Sequence, residues 1–395
     1  MPHRKKSLLE RVFPLQIPLS WLQLTCEHKR FLVAIAGITF AVTMMLFQMG
    51  LRGALFKQVV APILLLDGDV FVVGYNYEYF GVGRGFPKVR LNQAYAVNSV
   101  ESAQAVKLGG MSFKNPSTGQ ERDIFTIAFD PSKKVFSDPE IIANQSVLKK
   151  GNYVLFDKLS RDQYGDISGL FAKNGVVETE LSGTRTKIGG LISIGATFAA
   201  DGNVLMSLAT FDKIMRDTSQ TVNVGVIKLK PNASAKQAVK DLKKIFPKDA
   251  VVMTRNDFIE NEKEYWAVRT PIGFVIGASM AVAIFVGAVI VYQILYTDVS
   301  DHIPEYATLK AIGFDDGFFV KIILQESLIL SFLGFIPGAV FAEILYYLTR
   351  TFAYMPTYLS VENLAIVFCL TLFMCAAAGL LATRKLRSAN PADIF

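Results

Sequence analysis

The chain has 395 residues, of which 51% are apolar and 19% charged, with three cysteines, three histidines and a formal net charge of +7. The charged share is below the roughly 25% typical of soluble domains, and the mean hydropathy is +0.35. The apolar excess sits in four segments with the basic residues clustered beside them, which favours a membrane protein over a nucleic-acid binder.

Cys26, Cys369 and Cys375 all lie outside the soluble-looking middle of the chain, which therefore holds no internal disulfide. There is no C-x-x-C, and His3, His28 and His302 are the only histidines, so a His-based metal site is excluded.

Residues 1–30 form an amphipathic amino-terminal segment carrying six basic residues and Trp21, which suits a helix on a membrane surface. No cleavage site of small residues follows the next apolar run, so it reads as a span rather than a signal. That first span is 31–52, uncharged from Phe31 to Leu51 and ended by Arg52 and Lys57. About 20 apolar residues cross a bilayer core as a helix.

The second span is 270–297, without a charge, opening on Pro271 and offering Gly273, Gly277, Ala278, Ala283 and Gly287 as a small-residue packing face. The third, 319–348, is broken in the middle by Gly334, Pro337 and Gly338. Backbone groups freed by Pro337 need partners on neighbouring helices. Glu326 and Glu343 read as interfacial or ion-paired acids, with Lys321 a candidate partner for Glu326. The fourth span, 364–383, runs into Arg384, Lys385 and Arg387.

Charge sets the orientation. Eleven Lys and Arg flank the spans on one side (six in the amino-terminal flank, two in 298–321, three in the tail), whereas the loop 349–363 has only Arg350. Both termini, the loop 298–318 and the tail 384–395 are therefore expected in the cytoplasm, and 53–269 outside.

Residues 53–269 read as an α+β domain. Strands are expected at 69–73, 100–113, 122–129, 153–157, 224–229 and 250–253. Helices are expected at 91–98, 208–215 and 234–246, with a β-rich insert at 176–198. A helix capped by Asn256 is expected to run from Phe258 directly into the second span. Tyr75, Tyr77, Tyr79 and Phe80 suit an interfacial aromatic belt. The neighbouring Gly81-Val82-Gly83-Arg84-Gly85 lacks the context of a nucleotide loop and reads as a mobile outer loop. Asp157, Asp162 and Asp166 read as surface acids. No phosphate loop, G-x-S-x-G or H-E-x-x-H occurs, so no catalysis or cofactor is expected in this chain.

The loop 298–318 is too rich in helix formers to be a simple turn. A short helix from Glu305 to Ile312, ended by Gly313 as its C-cap, would place Tyr306, Leu309 and Ile312 on one face for a partner's groove. Glu305 and Lys310 would make rim contacts. Glu305, Leu309, Lys310, Ala311 and Gly313 fill the pattern E-[apolar]-[small]-x-L-[basic]-A-[apolar]-G. This resembles the cytoplasmic segment of the FtsX/MacB/LolC-type ABC transporter permeases. Gln325-Glu326-Ser327, the Gly-rich third span, the basic Pro-containing tail and the one-plus-three layout of spans are similar too. The ending Ala389-Asn390-Pro391-Ala392-Asp393 and the stretch Pro18-Leu19-Ser20-Trp21-Leu22-Gln23-Leu24 resemble the DevC-type branch of cyanobacterial exporters.

The resemblance implies a non-catalytic permease of the bacterial inner membrane. It implies a second permease copy and separate ABC ATPase subunits that bind ATP and Mg. A periplasmic adaptor, a TolC-like outer-membrane channel and membrane lipids complete the implied partners. It leaves open an FtsX-like regulator that activates a periplasmic cell-wall hydrolase.

Overall fold

A computed structural model describes residues 28–196, 200–353 and 355–388. The amphipathic segment expected in 1–30 lies outside the described residues up to 27, as does the end of the tail from 389. The chain divides into two compact units, one formed by Met1–Ala54 and Ile272–Phe395, the other by Leu55–Pro271.

Among the described residues, four helices are long and apolar enough to cross a membrane: α1 (His28–Leu65), α8 (Pro271–Asp301), α10 (Asp316–Ala353) and α11 (Val361–Ser388). A short helix, α9 (Ile303–Ile312), joins α8 to α10. α1 does not stop at Arg52. Its 38 residues make about 57 Å of helix, well beyond a bilayer core of about 30 Å. Charges end an apolar run, but Arg and Lys are good helix formers and do not end a helix.

In the first unit Ile38, Val42 and Met45 of α1 pack with Val291 and Leu295 of α8, Leu330 of α10 and Val367 and Cys375 of α11. Large apolar side chains such as Phe274, Phe285 and Ile336 remain exposed, as hydrocarbon surroundings allow. Of the small residues expected to pack α8, Ala283 is buried and Gly287 abuts Ala41 and Met374. Gly277 faces open space. Pro337 does not break α10. Thr39 Oγ1 donates to the Gly334 carbonyl at 3.2 Å, and Thr43 Oγ1, which donates to the Thr39 carbonyl at 2.7 Å, also reaches that of Gly338 at 3.1 Å. The neighbouring helix thus supports the backbone on both sides of the proline. A Cβ on Gly338 would lie 2.7 Å from Val42 Cβ, so glycine permits this approach.

The second unit holds strands β1 (Val70–Gly74), β2 (Phe86–Pro87), β3 (Val100–Lys114), β4 (Glu121–Phe129), β5 (Tyr153–Asp157), β6 (Val177–Leu181), β7 (Thr184–Ile192), β8 (Asn203–Ser207), β9 (Thr221–Val222), β10 (Val224–Leu229) and β11 (Ala250–Thr254). Its helices are α2 (Val89–Ala94), α3 (Pro139–Asn144), α4 (Ile167–Asn174), α5 (Leu208–Met215), α6 (Ala235–Ile245) and α7 (Arg255–Glu264). Nine strands form one sheet in the order β11-β1-β10-β3-β4-β8-β5-β7-β6. A further pairing of Phe113 with Leu181 joins β3 to β6. β3, β4, β8, β5, β7 and β6 thereby close into a ring, while β11, β1, β10 and the first half of β3 stay open.

β1 is buried on both faces, which explains its unbroken Val-Phe-Val-Val. Val70 and Val72 pack with α2 and α6, whereas Phe71 and Val73 pack with Ile63 and Phe258. The ring is filled by Met111, Phe113, Val154, Phe156, Tyr164, Ile188 and Met206. The insert expected at 176–198 therefore supplies only β6 and β7 of a ring that also recruits β3, β4, β5 and β8.

α7 does not run into α8. Thr254 caps it with a capping box to Asp257. A π-helical turn, Tyr265–Arg269, follows, and Thr270 is extended at φ −106°, ψ 153°. Pro271 lacks an N–H and disfavours helical geometry in the residue before it, so the chain breaks here.

Candidate coupling site

α9 is built by its ends. Pro304 suits the first turn, and Glu305, exposed, complements the helix dipole. Gly313 closes the helix at φ +111°, and the Phe314 N–H donates to the Leu309 carbonyl at 3.2 Å. This six-to-one bond is that of a Schellman cap, for which glycine pays no Cβ penalty. Gly313 thus adopts the expected C-cap conformation.

The faces differ from the sequence reading. Tyr306 is only 1% exposed and sits edge-on to Phe319 with centroids 5.2 Å apart. Leu309 packs on the same core. Ile312 is 71% exposed and Phe314 40%. Tyr306, Leu309 and Ile312 therefore do not share an outward face. At 100° per residue, each step of three turns back by about 60°, so Ile312 points about 120° away from Tyr306. The side chain of Lys310 lies outside the described residues.

An aromatic run continues from the outward to the inward side. Phe314 packs on Phe318 at 4.5 Å, Phe318 on Phe319 at 5.5 Å and Phe319 on Tyr306. α9 is thus anchored to the first turn of α10 while presenting Ile312 and Phe314.

The two intramembrane glutamates part company. Glu343 pairs with Arg350 at 2.8 Å, a partner seven residues on. Glu326 is fully buried in the helix packing, on a stretch with buried Ser327 and Ser331.

Sequence reasoning also missed a polar node in the outer unit. Glu262 is 1% exposed and accepts from Tyr77 Oη at 2.7 Å, from the Phe80 N–H at 3.0 Å and from Trp266 Nε1 at 3.1 Å. Burial raises its carboxyl above the ordinary range, against the pull of these donors, and raises the Tyr77 phenol further. Phe258, Glu262 and Trp266 recur every four residues, a spacing that places the glutamate on an apolar stripe. Tyr77 and Phe80 are drawn inward rather than forming a lipid belt, and Tyr79 stacks on Tyr265. The glycine-rich 81–85 folds tightly: a Cβ on Gly74 would meet the Arg84 carbonyl at 2.0 Å, and one on Gly81 the Phe125 ring at 2.7 Å.

Asp157 is no surface acid. It is fully buried, accepts from Asn203 Nδ2 and the Gly195 N–H at 2.8 Å, and its carboxyl is raised by burial. Asp166 caps α4 through the Gly169 N–H.

Residues 277–391 match the FtsX-like permease C-terminal family. This part of the chain is similar to FtsX-like permeases, in line with the resemblance read from 304–314. The structure is similar to the periplasmic region of MacB from Actinobacillus actinomycetemcomitans at TM-score 0.36 and 10% identity, over 49% of this chain and 92% of that one. It is similar to the extracellular domain of the noncanonic ABC-type transporter YknZ from Gram-positive bacteria at TM-score 0.32 and 13% identity, over 47% and 99%. A domain of a putative permease from Porphyromonas gingivalis aligns at TM-score 0.29 and 14% identity, over 48% and 86%.

Proposed function

We propose that this chain is the permease subunit of a MacB-like ABC exporter of the DevC type, and that α9 receives the motion of a separate ATPase. The observation carrying the reading is the contrast within α9. Tyr306 and Leu309 root the helix in its own core, while Ile312 and Phe314 stay exposed beside a rigid glycine cap. Anchored apolar side chains at a loop are what a partner groove engages.

In this reading two ATPase subunits bind ATP and Mg on the cytoplasmic side and close, displacing α9. A dimer of permeases passes the motion to the outer units, which drive a lipid, glycolipid or peptide into an adaptor and an outer-membrane channel. This chain supplies no chemical step.

Gentle solubilisation of native membranes and affinity capture of this chain tests the assembly. Co-purification of an ABC ATPase with a periplasmic adaptor is expected. Recovery of a cell-wall hydrolase in place of the adaptor would overturn the export reading.

A further inference from the structure

We propose that the lysine face of α6, with the groove beside it, docks an acidic amphipathic helix of a partner protein. This surface belongs to the second unit and needs no coupling at α9. Charge in that unit is segregated. Residues 55–271 carry 28 Lys and Arg against 23 Asp and Glu, and residues 230–249 alone carry six Lys against Asp241 and Asp249. That short stretch therefore holds four of the five net positive charges, and the rest of the unit is close to neutral. Lys230, Lys236, Lys240, Lys243, Lys244 and Lys248 are all exposed. The acids around them are matched or outnumbered. Asp241 pairs with Lys244 at 3.0 Å and Asp249 with Arg90 at 2.8 Å. Asp67 and Asp69, beside the end of β10, pair with Lys134 and Lys228. Glu101 is exposed near the groove, and counting it against the six lysines with Asp241 and Asp249 still leaves three positive charges in excess.

The spacing of the lysines points to a helix as the occupant. Lys236, Lys240 and Lys243 lie four and three residues apart, in one row about 10 Å long. Among the described residues none of the three enters an ion pair. Like charges at these spacings repel and weaken a helix, a cost that carboxylates of a partner would relieve. A second helix with Asp or Glu at the same spacing meets the whole row. Beside the row, α6 and the turn 96–99 enclose a groove of about 540 Å³. Ala96, Val97, Ala233, Ala238 and Ile245 give it apolar walls, and Ile245 is exposed. An amphipathic helix lays its apolar face into such a groove and sets its polar face against the rim, whereas a flat bilayer surface leaves the groove unfilled. Charge complementarity of this kind steers encounter and selects the partner.

The test places the photoreactive residue benzoylphenylalanine at position 245 of the full chain, irradiates it in native membranes and sequences the cross-linked peptide by mass spectrometry. The expected adduct is a protein segment of net negative charge with Asp or Glu three and four residues apart. The triple variant Lys236→Glu, Lys240→Glu, Lys243→Glu is expected to lower the yield of that adduct about tenfold, as is raising the salt from about 0.05 M to about 0.5 M. The three side chains are exposed, so the triple variant is expected to keep the parent's thermal stability. Cross-linking to lipid alone, a cross-linked peptide without net negative charge, no protein adduct, or a yield indifferent to the charge reversal would overturn the proposal.

Discussion

Tyr77 donates its hydroxyl hydrogen to Glu262 across 2.7 Å, joining residues 185 apart in the chain. The bond ties the stretch after β1 to the last turns of α7, just ahead of the π-helical turn and the break at Thr270. Replacing Tyr77 by Phe leaves a buried carboxylate short of a donor. We predict a loss of about 2 kcal/mol, read from thermal unfolding of the full chain by the fluorescence of Trp266. Glu262→Ala, which strands three donors, costs more than Tyr77→Phe. Equal stability of Tyr77→Phe and the parent would remove the node from the account.

Acid acts on a second cluster, two solvent-accessible carboxylates around a buried lysine. Lys107, 5% exposed, reaches Asp212 at 2.6 Å and Asp217 at 2.8 Å. The hydrogen bond from Lys107 and those from Ser219 hold the Asp217 carboxyl down at about 2, against an ordinary 3.8. A carboxyl lowered on folding contributes stability above its unfolded pKa and loses it as pH falls through the folded one. The stability difference between the parent and Asp217→Asn is therefore predicted to be constant above pH 3.8 and to shrink as pH approaches 2. A difference that grows on acidification contradicts the assignment.

Packing outweighs hydrogen bonding between α1 and α10. Thr43→Val removes a hydroxyl shared between the Thr39 carbonyl at 2.7 Å and the Gly338 carbonyl at 3.1 Å, and costs at most about 0.6 kcal/mol across the helices in a membrane. Gly338→Val forces carbon into the 2.7 Å approach to Val42 and costs about 1–3 kcal/mol. Unfolding of the full chain by a denaturing detergent should rank the two in that order.

How much of this was readable beforehand follows from what each residue answers to. Tyr153–Asp157, Leu208–Met215 and Val224–Leu229 fall where their patterns placed them, because a local period suffices for a short element with one packed face. The ring was not legible, since its closure rests on Phe113 meeting Leu181, a contact between distant segments. Asp157 looked like a surface acid because its compensation comes from Asn203 and Gly195, far along the chain. The break at Thr270 was legible in principle from Pro271, but the lack of charge beyond it drew attention to the span. In α9 the glycine cap was legible because it is local. The inward turn of Tyr306 was not, because it depends on where Phe319 returns.

The central claim is that α9 passes ATPase motion through its exposed tip. Leu309→Asp is a poor probe, because Leu309 packs on the core and its loss would disturb the helices. Ile312 lies 71% exposed and tests docking alone. The measurement is ATP hydrolysis by the partner ATPase reconstituted in membranes with the full chain. Ile312→Asp is predicted to remove about 2 kcal/mol of interface energy, roughly a 30-fold loss of affinity, and with it the stimulation at working concentrations, while the outer unit keeps its thermal stability. Stimulation by Ile312→Asp equal to that by the parent at every ATPase concentration would contradict the account.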